Sequence, residues 1–342
     1  MIEGILQELP ATTHGAIVAG GPDLRLPKGL HLRRVPGSGA RGVRILYQRL
    51  LLPLDVAVVG QRFSSVDRVL LLDSYVPLIR PQRRLRYAAL VHDTLALTHP
   101  HFWPRAPRLV KRSAFASLRS ARPVLFTSSE FNAREIQRLL GLPARVVEFG
   151  CGQLRDPEAD EARAAPLPDQ EQYLLAVGAI EPRKDTMSLL AAFEAAVTES
   201  LGSDLRLRIV GAGRGSYYDA VRSRAARSRF ADRIEFMPSA GRRETLGLIA
   251  RARAIVFPSL AEGFGLPILE ALALGTPVVA SEIEAVRSWA GDAVEYGPPG
   301  RPGDWLEPIS SALETSVERR RGGQAFAQSF RWKDCANRIV DF

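Results

Sequence analysis

The feature that most restricts the fold is a rhythm in the second half of the chain, where short apolar runs alternate with longer amphipathic ones. YLLAV (173–177), LRLRIV (205–210), RIEFM (233–237), AIVF (254–257) and PVVA (277–280) are each followed by glycine, proline or polar turn residues, then by a segment of helical character. Such short apolar runs suit strands covered on both faces, and parallel strands need a crossover, usually helical, between them. The pattern therefore predicts βαβ units in a parallel sheet. It recurs more faintly earlier, in AIVAG, RVLLLD, YAALVHD, PVLFTSS and RVVEFG. Residues 156–172, DPEADEARAAPLPDQEQ, are polar, acidic and proline-bearing, without a periodicity that would bury a face. They read as a linker. The expectation is an α/β protein with two Rossmann-like domains facing across a cleft, the first over residues 1–155 and the second over 173–325. The length, 342 residues, suits two cores better than one.

Composition narrows the classes of function. No stretch approaches ~20 uncharged apolar residues, and the first ten residues carry Glu3 and Glu8 where a signal peptide would be basic. A cytosolic chain is expected. Cys151 and Cys335 have neither metal-site spacing nor the pattern of a disulfide framework, so both are expected as reduced thiols. Charge is uneven: residues 1–155 hold 23 Lys and Arg against 10 Asp and Glu, net +13, whereas 156–342 hold 23 against 27, net −4. The basic half, with Arg83, Arg84 and Arg86 and then Arg105, Arg108, Lys111 and Arg112, suits an anionic membrane surface, a phosphorylated lipid or nucleic acid. A merely solvated basic face is the alternative, since only four of the 46 basic residues are lysine and the arginine content can reflect genome composition.

The stretch AEGFGLPILEALALGTPVV, from residue 261, sets Glu262 and Glu270 on either side of a glycine-bearing turn. AIVF is the strand before it, Pro267 suits a helix start and Gly275 a helix end. In open α/β sheets ligands bind beyond the carboxyl ends of strands, so both acids should face that crevice. The amides around Gly263, Phe264, Gly265 and Leu266, with the helix N-terminus, can hold an anion without a cationic side chain. A carboxylate accepts well from paired hydroxyls, and a nucleotide sugar offers such pairs on both sides of its diphosphate. The alternative is that both acids simply favour the helix N-terminus electrostatically. A second strand end, VGAIEPRKD (177–185), carries Arg183 and Lys184 where they can neutralise a leaving diphosphate, and Asp185 as a helix cap; in isolation such a pair is usually a solvated surface. YAALVHD ends a third buried run with His92 and Asp93, again a pattern that is more often structural than catalytic. His99 and His101, beside Pro100 and Trp103, are candidates for an acceptor wall, and GAGRG (211–215) is a weak glycine loop expected to turn the chain near the nucleotide.

The EGFGLPILE run, preceded by Phe257-Pro258-Ser259 and followed by Gly275-Thr276-Pro277-Val278-Val279, resembles the E-x7-E signature of retaining glycosyltransferase family 4. That resemblance implies a GT-B fold of two Rossmann-like domains with the active site between them, and a C-terminal helix, here 326–342, returning toward the first domain. It implies that Glu270 holds the ribose hydroxyls and Glu262 the donor-sugar hydroxyls. The Gly263 to Leu266 backbone would contact sugar and phosphate, Arg183 and Lys184 the diphosphate, and His92, in a V-H-D segment like the family's, the donor sugar. Many relatives place an arginine directly after the glycine of the second motif, where this chain has Ala179; the G-x-x-E-P-R-K form points to a mannosyltransferase-like subgroup using GDP-mannose.

The implied reaction is transfer of a hexose from a nucleoside-diphosphate sugar, with retention, to a hydroxyl of a glycan or polyprenyl-linked glycan in bacterial cell-surface polysaccharide synthesis. No cofactor is expected: no D-x-D triplet or metal-ligand spacing occurs, and Arg183 and Lys184 supply the positive charge. The basic first domain adds a peripheral contact with the inner face of the plasma membrane. Two rival readings are a catalytically silent nucleotide-sugar-binding protein and a nucleic-acid binder, the latter without an aromatic platform. The resemblance is good over residues 87–340 and poor before them. The chain begins with IEGILQEL, which reads as a helix lacking the strand that family members place before it.

Overall fold

The computed structural model describes residues 86–151, 172–199 and 204–340, with three further strands at 15–19, 30–34 and 68–71. The N-terminal IEGILQEL helix and the linker, apart from Gln172, lie outside the described residues. Two compact units divide the chain, Met1–Gly150 with Arg331–Phe342, and Cys151–Phe330.

In the first unit β1 (Gly15–Ala19) and β2 (Leu30–Arg34) form a parallel pair. A separate four-stranded parallel sheet runs in chain order through β3 (Arg68–Leu71), β4 (Arg86–Val91), β5 (Val124–Thr127) and β6 (Ala144–Val146). Between β4 and β5 lie the single turn α1 (Leu95–Thr98) and the long α2 (Arg105–Ala121); α3 (Glu130–Leu140) joins β5 to β6. The apolar positions of α2 and α3, Phe115, Leu118, Ile136 and Leu140, meet Ala89, Val91 and Leu125 of the sheet in one core. Ser129 Oγ accepts from the Asn132 amide at 3.2 Å, closing the first turn of α3.

The second unit continues the rhythm read from the sequence. Its elements are β7 (Tyr173–Val177), α4 (Thr186–Thr198), β8 (Arg206–Val210), α5 (Ser216–Ala226), β9 (Ile234–Met237), α6 (Arg242–Arg251) and β10 (Ala254–Phe257). There follow α7 (Leu266–Leu274), β11 (Val278–Ser281), α8 (Glu284–Ala290), β12 (Glu295–Gly297), α9 (Leu306–Leu313) and α10 (Val317–Gln328). A last helix, α11 (Trp332–Val340), groups with the first unit. All six strands of the second unit are parallel, in the order β12-β11-β10-β7-β8-β9. Every residue of β10 and β11 is buried, as a sheet covered on both faces requires. Leu174, Leu207, Val256 and Val279 pack with Leu189 and Phe193 of α4 and with Trp305 and Ile309 near α9. The strand order reverses direction between β7 and β10, which makes their carboxyl ends the crevice of a doubly wound sheet.

Candidate active site

The two strands flanking that reversal carry the strongest sequence candidates. Beyond β7 the chain makes a 3-10 turn at Pro182–Lys184, and Asp185, in the left-handed region with φ 44°, caps α4 by accepting from the Ser188 amide at 3.3 Å. The glycine loop after β8 braces this turn. The Gly178 amide donates to Val210 O and the Ile180 amide to Ala212 O, both at 2.9 Å. A Cβ on Gly211 would lie 1.9 Å from the Gly178 carbonyl oxygen, so only glycine permits the approach. Beyond β10 the chain runs through Pro258 to Glu262, and the Leu260 amide donates to Arg183 O at 2.7 Å, joining the two strand-end loops.

Glu262, with 7% of its side chain exposed, lies at the centre of an ion cluster. Its Oε1 accepts from Lys184 Nζ at 2.6 Å and from Arg183 Nη1 at 2.9 Å, while Arg183 Nε reaches Glu181 Oε1 at 2.6 Å. Lys184 Nζ also sits 4.4 Å from the centroid of the Phe257 ring. Burial pushes the Lys184 ammonium below the ordinary lysine value of 10.5, while Glu262 pulls it back up.

Gly265 takes φ 96° immediately before α7, a conformation that favours glycine, and Pro267 is the second residue of the helix, one place later than the sequence expectation. The Gly263–Leu266 turn rests on an aromatic stack. The Phe264 and Trp289 rings lie 4.4 Å apart and nearly parallel at 14°, Trp289 Nε1 donates to Phe264 O at 2.9 Å, and Phe330 packs edge-on to both. Glu270, one turn along α7, accepts from Arg242 Nη1 at 2.6 Å. The structure thus brings Arg183, Lys184 and Glu262 together at one point and Glu270 to a separate ion pair. Both carboxylates that flank the turn already face a base, Glu262 two of them and Glu270 one.

Trp289 and Arg242 are absent from the sequence reading. Trp289 leaves no signal, because one indole on an amphipathic helix resembles any core residue. Arg242 left one: α6 opens with Gly-Arg-Arg, putting bases at the helix end where cations are disfavoured.

The first unit presents His92 at the carboxyl end of β4, half-buried, its ring 6.1 Å from that of Phe149 and its carbonyl accepting from Asn132 Nδ2 at 3.3 Å. Asp93 has a local role, its Oδ1 accepting from the Leu95 amide at 2.9 Å at the start of α1. His99 and His101 group with Phe102 and Trp103, and burial, with the neighbouring His101, lowers the His99 pKa. Among the described residues no group of three His, Cys, Asp or Glu is placed to hold a metal ion, and no helix is long and apolar enough to cross a membrane.

Residues 158–328, half of the chain, match the family described as glycosyl transferases group 1. Over 281 residues the chain is 31% identical to an Escherichia coli protein described as O-antigen chain mannosyltransferase B, covering 76% of this chain and 71% of that one. It is 29% identical over 143 residues to the O-antigen chain mannosyltransferase RfbU of Salmonella typhimurium, 42% of this chain and 39% of that one. A sucrose-phosphate synthase structure from Thermosynechococcus elongatus superposes with a TM-score of 0.75 at 18% identity, covering 99% of this chain and 90% of that one. WaaG, a glycosyltransferase involved in lipopolysaccharide biosynthesis, superposes with a TM-score of 0.70 at 18% identity, covering 99% and 94%. The fold is GT-B, as expected, with two Rossmann-like domains. The chain belongs to the glycosyl transferases group 1 family, and it is a glycosyltransferase.

Proposed function

We propose that this glycosyltransferase is a retaining, family 4 enzyme moving a hexose, with mannose favoured, from a nucleoside-diphosphate sugar to a hydroxyl of a glycan or lipid-linked glycan in bacterial cell-surface polysaccharide synthesis. The observation that carries the reading is the meeting of Lys184 and Arg183, beyond β7, with Glu262, beyond the neighbouring β10, at 2.6 and 2.9 Å. This is the reversal point of a doubly wound sheet, where such folds take their ligands. Two bases within reach of one another fit a diphosphate, and the amides of the Gly263–Leu266 turn with the N-terminus of α7 extend the same cradle.

In this reading the donor diphosphate takes Lys184 and Arg183, Glu262 turns to hydroxyls of the donor sugar, and Glu270 accepts from the ribose. Charge building on the leaving diphosphate is met by the two bases and the turn amides, so no metal ion is needed for it. The acceptor hydroxyl attacks from the face the diphosphate leaves, and the leaving diphosphate takes its proton. His92 enters through the V-H-D resemblance, as a contact to the donor sugar. The mannose preference rests on the G-x-x-E-P-R-K motif and on the names of the two O-antigen mannosyltransferase relatives. Arg105 and Arg112 on α2, with Leu109 61% exposed between them, support a peripheral contact with an anionic membrane carrying the acceptor.

Diphosphate release from GDP-mannose, UDP-glucose and UDP-galactose in the presence of polyprenyl-linked glycans tests the reading, with the product's anomeric configuration read by NMR. Release from one donor, retention in the product, and loss of both in Lys184→Ala are expected. An inverted product, or full activity in Lys184→Ala, contradicts it.

A further inference from the structure

We propose that Arg242 is a positioning residue that sets the Glu270 carboxylate for the ribose diol of the donor nucleotide, an inference that rests on the reading of Glu270 given above. Arg242 is the first residue of α6 and donates through Nη1 to Glu270 Oε1 at 2.6 Å. A helix N-terminus disfavours a cation, so helix stability does not explain an arginine there. Its side chain is 53% exposed, and an ion pair so open to water contributes little to folding. Glu270 differs, with only 12% exposed, and Arg242 is its hydrogen-bonded partner among the described residues.

A carboxylate that must accept from two neighbouring hydroxyls needs a fixed plane, yet the last torsion of glutamate is broad and roughly two-fold. One guanidinium contact on Oε1 fixes that plane and leaves Oε2, and the second lone pair of Oε1, to accept from a ligand. The contact comes from a firmly placed helix. Thr276 Oγ1, just past α7, donates to Ile249 O at 2.7 Å, and Tyr173 Oη donates to Leu248 O at 2.7 Å, so the far end of α6 is tied both to the end of α7 and to β7.

The test compares GDP and UDP with their 2′,3′-dideoxy forms by calorimetry, in the wild-type chain and in Arg242→Gln, Arg242→Lys, Glu270→Gln and the Arg242→Gln/Glu270→Gln double variant. The wild type is expected to prefer the ribonucleotide by about 10- to 100-fold, the scale of hydrogen bonds to a charged group. Arg242→Gln should lose most of that preference with little change toward the dideoxy form. Arg242→Lys should restore part of it, and the double variant should be no worse than Glu270→Gln alone. If the wild type discriminates and Arg242→Gln discriminates equally well, or if it weakens both forms alike, the positioning role is wrong while Glu270 keeps its own. If the wild type binds a nucleotide but ignores its ribose hydroxyls, the assignment of Glu270 falls and this inference with it.

Discussion

Replacing Glu262 by glutamine separates the two demands on this carboxylate. In the structure one oxygen of Glu262 holds both Lys184 and Arg183, the cations assigned to the donor diphosphate. A diphosphate must take those contacts from it and accept a nearby negative charge. At about 6 Å and an effective dielectric constant of about 20, that repulsion is roughly 3 kcal/mol. Glutamine removes the charge and keeps an acceptor oxygen of the same shape. About half of the gain is lost, because Glu262 also holds the two cations in place and supports the charge of Lys184 against its burial. The net expectation is about 1.5 kcal/mol, or roughly tenfold tighter binding of the free nucleoside diphosphate. Turnover should fall by about 100-fold, because the acceptor for the sugar hydroxyls is weakened. Sequence reasoning alone assigns Glu262 to the sugar end and leaves free-nucleotide affinity untouched. Calorimetry with GDP and UDP, beside a diphosphate-release assay and circular dichroism, measures all three quantities. A folded Glu262→Gln protein with unchanged or weaker affinity for both diphosphates would refute the idea that Glu262 and phosphate compete for the same bases.

Diphosphate binding by the wild type should decline on the alkaline side with a midpoint below the ordinary lysine value of 10.5, because burial disfavours the Lys184 ammonium, and lower still in Glu262→Gln. A midpoint at or above 10.5 speaks against it; the same shift means that protonated Lys184 costs folding stability at neutral pH, a cost that fades as pH rises through its lowered pKa. Trp289→Leu removes the ring stacked 4.4 Å from Phe264 and the donor to its carbonyl, so urea unfolding should show a loss of about 3 kcal/mol, with a raised donor KM. A variant as stable as wild type with normal KM counts against the stack as the support of the turn. Cys335 is buried and its thiol is pushed up to about 12, so iodoacetamide at pH 8 should label it only after unfolding; labelling at the rate of a free thiol contradicts the packing of α11.

The sequence reading succeeded where periodicity and local chemistry agree. β7, β10 and β11 read as unbroken apolar runs, because a parallel strand covered on both faces has no polar face to disguise it, while β8 and β9 remain readable although Arg206, Arg208 and Glu235 interrupt them. β12 escaped notice, being three residues of Glu-Tyr-Gly at the edge of its sheet, and β2, Leu-His-Leu-Arg-Arg, holds too many polar residues to read as a covered strand. The positions of Arg183, Lys184, Glu262 and Glu270, beside strand ends or a helix start, were legible because the sequence marks those places with glycine or proline. Their pairings were not. That Glu262 takes both bases depends on the lateral order of the strands, which brings β7 beside β10 although 76 residues separate Val177 from Ala254, and that Glu270 takes Arg242 depends on the packing of α6 beside α7.

The points where the chain enters and leaves the second unit are hydrogen-bonded to each other, the Cys151 amide donating to Phe330 O at 3.2 Å. On the other side of the same boundary, a Cβ on Gly150 would fall 2.1 Å from the amide nitrogen of Trp332. Both units therefore see the break as two adjacent ends, the arrangement that tolerates insertion and exchange of whole domains. The family match, residues 158–328, lies wholly inside the inserted piece. For a gene of this kind, recombination at two codons exchanges the second unit as one piece and leaves the two cut ends of the first unit beside each other, so the two units can be inherited from different ancestors.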